Sequence, residues 1–221
     1  EISELEEDSK YGYKYNYMAY NAIAYRAALL TQGYKLLNDK NLLSAAQKNI
    51  NYIINNQLDD GSWHYSKDSF FIDNIHTCFI LKKLIRCYQY TENSNILKSI
   101  QKGYEFYINN FIRNNGTLKH FVKIRIPKFR KIETYDYAEA LNLEIEMNKI
   151  RKPNFEYIES FSNQIINKFQ TKDGYFITRI NSLNMKNRVP YLGWPQSQVF
   201  LSLTKLLKII NEQSFSIDNK I

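Results

Sequence analysis

The chain has 221 residues, enough for one domain with a real core, and 44% of them are hydrophobic, which excludes a disordered chain. Lys and Arg number 30 against 22 Asp and Glu, and the net charge of +8 permits an anionic partner without identifying one. No apolar run is long enough to cross a bilayer and no signal peptide is visible. No RRM-type aromatic motif or helix-turn-helix pattern points to nucleic acid. There are 18 Tyr and 13 Phe but only 2 Trp. Tyrosine-rich helix faces suit a wet, concave surface, because the ring buries while the hydroxyl stays available. Abundant Tyr, Asn, Ile and Lys also follow from an AT-rich genome.

Residues 1–9 are acidic and read as a poorly ordered lead-in. Tyr15 to Leu37 reads as a long helix whose alanines (Ala19, Ala22, Ala24, Ala27, Ala28) let another helix approach closely. Asn38-Asp39 breaks it, and Leu42 to Asn56 is a second helix with Leu42, Ala45, Ala46, Ile50 and Ile53 at helical spacing. A break this short implies antiparallel neighbours, a helical hairpin. Asp59-Asp60-Gly61-Ser62-Trp63 is a tight loop in which Gly61 fits a left-handed position. Ile72 to Tyr90 is the third helix. Thr91 to Ser94 is a second short break, where Asn93 or Ser94 caps the fourth helix, Ile96 to Ile112.

Asn114-Asn115-Gly116 repeats the loop signal, and the alternating segment of residues 117–131 predicts a short β excursion. A fifth helix spans Thr134 to Lys149. The sixth runs from Phe155 to Phe169, with Phe155, Ile158, Phe161, Ile165 and Phe169 as its apolar stripe. Asp173-Gly174 is the third loop copy. Residues 177–193 read as irregular or partly extended. Trp194 to Ile210 is the seventh helix, with Val199, Leu203, Leu206 and Ile210 inward, and a polar, frayed tail follows from Glu212.

The loop glycines recur at intervals of 55 and 58 residues, at Gly61, Gly116 and Gly174. With two helices per interval, this marks an array of helical hairpins that must stack to bury their apolar faces. The expected fold is all-α, a hairpin array of about seven helices in one domain over 1–221. An ordinary helical bundle with coincidental glycines is the alternative.

The stretches NNQLDDGSWHY, FFIDNIHTCFILKKL, DGYF and RVPYLGWPQSQVFLSLTKLL resemble the α/α-toroid group that includes the six-hairpin glycosidases. They are most similar to a bacterial and archaeal branch associated with capsule, O-antigen and other surface-polysaccharide biosynthesis. The resemblance implies an incomplete α/α toroid whose inner helices point their N-termini at a carbohydrate-facing cleft, with Asp73, His76, Trp194 and Gln196 located there. It departs from the pattern at Ile132-Glu133-Thr134-Tyr135, where Ile-Asp-x-His is expected. Trp194 is flanked by Gly193 and Pro195 where an Arg and a Gly are expected. Seven helices fall short of a closed toroid, so the expectation is an open half-ring or the C-terminal part of a longer protein.

Glycosidic cleavage typically uses two carboxylates. The candidate catalytic residues are Asp73, His76, Asp136 and Glu139. Asp73 at a helix start either caps backbone N–H groups or acts on a ligand. His76, three residues on, suits acid–base work or stands as a structural histidine. Asp136 and Glu139 share a helix face and also read as a structural pair. Asp60 and Asp173 precede glycines and serve the turns. Candidate substrate-binding residues are Trp63, Tyr135, Arg179, Arg188, Tyr191, Trp194, Gln196 and Gln198. Core packing is an equal reading for Trp63.

The basic run Lys119, His120, Lys123, Arg125, Lys128, Arg130 and Lys131 suits an anionic glycan or a charge-protected edge strand. His64, His76 and His120 match no zinc spacing, and no cofactor is implied. Cys78 and Cys87 lie on opposite faces of one predicted helix, roughly 13 Å apart, too far to pair, so a reducing, cytoplasmic location is expected.

Three functions follow as expectations. The first is a carbohydrate-active enzyme working by hydrolysis, elimination or epimerisation on surface polysaccharide or its precursors. The second is a non-catalytic glycan-binding or scaffolding module. The third is an isoprenoid-type toroid, although the Asp-x-Asp-Asp acid motif is missing.

Overall fold

A computed structural model describes residues 19–123, 132–181 and 183–218, apart from the side chains of Trp194 and 212–218. Among the described residues seven α-helices alternate with short strands. They are α1 (Tyr20–Leu37), α2 (Lys40–Asn55), α3 (Asn74–Thr91), α4 (Ser94–Phe111), α5 (Thr134–Met147), α6 (Phe155–Gln164) and α7 (Ser197–Asp218). The strands are β1 (Ile72–Asp73), β2 (Phe121–Val122), β3 (Ile132–Glu133), β4 (Arg179–Ile180) and β5 (Lys186–Asn187). The chain divides into two units, Glu1–Ile112 with Phe121–Arg125, and Arg113–His120 with Ile126–Ile221.

In the first unit α1 packs on α2 and α3, and α3 packs on α4. Both hairpin turns use the same chemistry. Asn38 and Glu92 adopt left-handed backbone and return their N–H groups to Tyr34 and Tyr88. Asp39 and Asn93 then cap the next helix, each accepting an N–H at 2.8 Å from Asn41 or Asn95. The helices α2 and α4 are amphipathic and bury one face, through Ala45, Ala46, Ile50 and Ile53 and through Ile96, Ile100, Tyr104 and Tyr107. In the second unit α5 packs on α6 and α7, and every α5 residue except Tyr135 is buried.

The three glycine loops share one backbone plan. The first residue of each (Leu58, Arg113, Thr171) accepts from the glycine N–H and donates to the carbonyl four residues on. Gly61, Gly116 and Gly174 have φ of 93°, 74° and 88°. At Gly61 a side chain would also meet the Lys102 carbonyl oxygen at 2.3 Å. Asp60 accepts from the Ser62 N–H and hydroxyl, and Asn115 does the same for Thr117. Asp60 thus serves its turn, and it also pairs with Lys123. Burial pushes its carboxyl up, but Lys123 and Ser62 outweigh this and hold it below the usual range.

A second repeat concerns the chain entering the first helix of each hairpin. Ala19 bridges to Ser66, β1 pairs antiparallel with β2, and β3 pairs antiparallel with β4. Each entry is therefore held by a strand that follows a glycine loop. This is why Ile72 and Asp73, expected inside a helix, are extended, and α3 begins at Asn74.

The β excursion expected over 117–131 is present as β2, and its remainder from residue 124 lies outside the described residues. The sixth helix ends in a π-helical turn, Ile165–Phe169, and Phe155 of its expected stripe is exposed. The seventh helix is preceded by a π-helical turn, Leu192–Gln196, and continues to Asp218 where a frayed tail was expected. Val199 is buried as expected, but Ile210 is exposed. Cys78 and Cys87 are both buried and neither is in a disulfide, and burial pushes the Cys87 thiol up to about 11.

Two of the carboxylates buried on α5, Glu144 and Glu146, are met by cations. Arg151 Nη2 lies 2.8 Å from Glu144, and Glu146 pairs with Lys149 and, at 3.1 Å, with Lys205 of α7. Burial pushes the Glu146 carboxyl up, but Lys149 and Lys205 outweigh it and leave it below the usual range. A carboxyl lowered in the folded state adds stability above its unfolded pKa and loses it as the pH falls through the folded value. The second unit should therefore lose about 1–2 kcal/mol as the pH drops, allowing for partly exposed lysines. The window opens below 4.5, the ordinary value for this carboxyl. Urea unfolding of wild type and Glu146→Gln across that range checks this, since the variant should be less stable at neutral pH and lack this component of acid loss.

Candidate active site

The entry of α3 gathers a carboxylate, an imidazole and several aromatic rings. Asp73 is extended at φ −123°, and β1–β2 pairing sets it opposite Phe121. One carboxylate oxygen caps α3 by accepting the His76 N–H at 2.8 Å. The other accepts from His76 Nδ1 at 2.6 Å. The Thr77 hydroxyl donates to the Asp73 carbonyl at 2.6 Å, fixing the turn from the other side. The spacing Asp-x-x-His on a helix start makes this pair, because the N-cap and the third helical residue face each other.

The two side chains differ in access. That of Asp73 is 5% exposed and that of His76 30% exposed. A carboxylate only accepts, so Nδ1 carries the proton in this bond and Nε2 of the neutral ring keeps its lone pair. The arrangement is a buried carboxylate holding a partly exposed imidazole through Nδ1. Around His76 stand Tyr65 at 4.6 Å, Phe79 at 5.9 Å and Phe71 at 6.4 Å, all edge-on between ring centroids.

The second unit repeats the pair at the entry of α5 with the roles exchanged. Glu133 occupies the N-cap and Asp136 the third helical position. Asp136 accepts the Glu133 N–H at 3.2 Å and His120 Nδ1 at 2.8 and 2.9 Å. Ile72-Asp73-x-x-His76 thus corresponds to Ile132-Glu133-x-x-Asp136, with the imidazole supplied by His120 from the preceding segment. Both members of this pair are largely buried. His120 was read only as part of a basic run. The exchanged charge at position 136 was the available signal that an imidazole had to come from elsewhere.

The other expected site residues disperse. Glu139 is buried on α5. Tyr135 is half-buried, and the exposed Arg179 lies opposite Glu133 in the β3–β4 register. Arg188 and Tyr191 are exposed and Gln198 is half-buried. The Trp194 side chain lies outside the described residues.

Of the two equal readings of Trp63, core packing fits, because the side chain is buried, donates Nε1–H to the Ile53 carbonyl at 3.0 Å and packs on Gly103. Gln196 has its amide committed to the backbone of Phe176, accepting its N–H at 3.0 Å and donating to its carbonyl at 2.7 Å. It acts as a clamp between the third glycine loop and α7.

Of the basic run, Lys123 is the partner of Asp60, while Arg125, Lys128, Arg130 and Lys131 lie outside the described residues. Among the described residues no three His, Cys, Asp or Glu side chains are grouped so as to hold a metal ion. No described helix is long and apolar enough to cross a membrane.

No family model matches the chain, and no curated protein is significantly similar to it. Solved structures are similar in fold. An unsaturated glucuronyl hydrolase specific for heparin superposes with TM-score 0.69 at 10% identity, over 93% of this chain and 63% of its own. A family 76 α-mannanase from Bacteroides thetaiotaomicron gives 0.64 at 16% identity, over 88% and 55%. A sugar epimerase from a ruminal bacterium gives 0.64 at 11% identity, over 77% and 49%. The chain thus has the helical-hairpin fold of the α/α toroids, as the resemblance implied. It spans between 49% and 63% of the length of these three structures.

Proposed function

We propose that the protein is a carbohydrate-active enzyme that moves a proton on a sugar of a surface polysaccharide or its precursors, with His76 as the base. The observation that carries this reading is the accessible His76 imidazole held through Nδ1 by buried Asp73 at a helix start. The similar structures include enzymes named for sugar hydrolysis and epimerisation, which supports a sugar substrate.

Among the three reactions weighed from the sequence, the geometry favours elimination or epimerisation over hydrolysis. Hydrolysis needs carboxylates that reach the glycosidic oxygen and the anomeric carbon or its water. Asp73, Asp136 and Glu139 are all buried, and the first two face imidazoles. Nε2 of His76 would instead take the proton from a carbon next to a carbonyl or carboxylate. In epimerisation water gives a proton to the opposite face of that carbon, and the His76 imidazolium passes its own proton to the hydroxide left behind. In elimination the C–O bond at the β carbon breaks, a double bond forms, and the departing oxygen takes a proton from water. Asp73 stabilises the imidazolium that forms on the way.

Incubating the protein with candidate sugars in heavy water distinguishes the readings. Deuterium entering a carbon position, or an unsaturated product, is expected, and neither should occur with His76→Ala. New reducing ends without either signal would mean hydrolysis and overturn this assignment. Tight binding with no turnover would favour the glycan-binding module, which the degenerate motifs around Glu133 and Trp194 keep as the second reading. The polar helix entries in both units weigh against an isoprenoid cavity.

A further inference from the structure

The rings near His76 belong to a larger cluster, all of it in the first unit and none of it in the core. Tyr65 and Phe71 stack at 4.7 Å with planes 16° apart. Phe71 meets Phe121 edge-on at 5.9 Å. On the other side of the imidazole, Phe79 meets Tyr25 of α1 at 5.6 Å. Phe70 and His64 pair with each other at 5.1 Å and, alternating along the chain with Tyr65 and Phe71, stand apart from this cluster. Tyr25 is 43% exposed and Phe71 37%.

The chain does bury aromatic rings where it needs them, as Trp63, Tyr107, Phe111, Tyr137, Phe161 and Phe169 show. Leaving a connected set of rings at the surface forgoes burial that each would otherwise gain. Such a surface is what a sugar chain uses, because the C–H faces of pyranose rings pack on aromatic faces while the hydroxyls stay in water.

We propose that this aromatic strip seats an oligosaccharide, not a monosaccharide, with the reacting residue over His76 and its neighbours on Phe71 and on Tyr25–Phe79. In the sequence of ring contacts His76 stands between Phe71 and Phe79, so a single sugar ring above the imidazole leaves Phe71 or Tyr25 uncovered. The choice of reacting residue rests on the proposed role of His76, whereas the stacking does not. Lys83 lies over the Tyr25 ring at 4.0 Å and holds it from the α3 side.

The test is a glycan array carrying mono- to octasaccharides of mannan, polygalacturonate and heparin, probed with the full chain and with Tyr25→Ala, Phe71→Ala and the double variant. Both positions are exposed, and circular dichroism and melting confirm that the variants fold. Wild type is expected to retain chains of three or more residues and no monosaccharide. The double variant should bind its best chain about tenfold or more weakly, and each single variant less so. Monosaccharide binding of equal strength, unchanged binding by the folded double variant, or no bound member of the array overturns the proposal. His76→Ala separates this from the catalytic reading. Retained array binding with lost turnover supports both, while retained binding with unchanged turnover removes only the role of His76.

Discussion

His76→Ala should lower kcat on a confirmed sugar substrate by about 10²–10⁴-fold with little change in KM, the range typical of losing a positioned acid–base group. The side chain is partly exposed and its N–H cap bond to Asp73 comes from the backbone, so folding should persist. Asp73 offers the sharper control because it does two things at once. Asp73→Asn can still accept the His76 N–H and cap α3, but it removes the charge that orients and stabilises the imidazolium. It should lose most of the activity at nearly unchanged stability. Asp73→Ala loses the cap as well, about 1 kcal/mol, and should melt a few degrees lower. Steady-state kinetics and thermal melts on the three variants check this. If Asp73→Asn kept full activity while Asp73→Ala melted early, Asp73 would be only a cap.

The largest effect on stability is expected at Trp63. Trp63→Ala removes a buried indole and leaves the Ile53 carbonyl without its donor, and should cost about 3–5 kcal/mol. Against a total of roughly 5–15 kcal/mol this leaves a weakened first unit, seen as a melting point on the order of 10 °C lower. The reverse fault lies across the contact. At Gly103 a Cβ would meet the Trp63 ring at 2.6 Å and Leu81 at 3.0 Å, so Gly103→Ala should destabilise by about 1–3 kcal/mol through overpacking. Denaturant titrations measure both. A Trp63→Ala variant that melts like wild type but fails to bind sugar would return Trp63 to the ligand and contradict its place in the core.

The hairpin array could be read from residues alone because its signals are local. Asx-Gly pairs need the left-handed backbone wherever they fall, and apolar residues at helical spacing need a buried face in any surroundings. Asp73 and His76 were readable together for the same reason, since a cap and its third helical neighbour meet within one turn. His120 and Asp136 were not, because 16 residues separate them and only the return of the chain beside α5 brings them into contact. Trp63 was left open between core and cleft, and Gln196 was put at the cleft, for a related reason. A tryptophan or a glutamine beside a loop looks alike in sequence whether it faces a ligand or its own backbone. Only the positions of Ile53, Gly103 and Phe176 decide between these.

By itself, then, the sequence determined the hairpin repeat, the glycine loops, the all-α class and the nearness of Asp73 and His76 at one helix start, all of them consequences of short-range backbone geometry. Tertiary structure alone decided that the helix entries are extended, because β1 and β3 bond to strands about fifty residues away. It also decided that the second unit keeps an imidazole–carboxylate pair with its roles exchanged. And it decided that rings from α1 and from β2 join those beside His76, through Phe79 and Phe71, since no local rule relates Tyr25, Phe71 and Phe121 until the chain has folded.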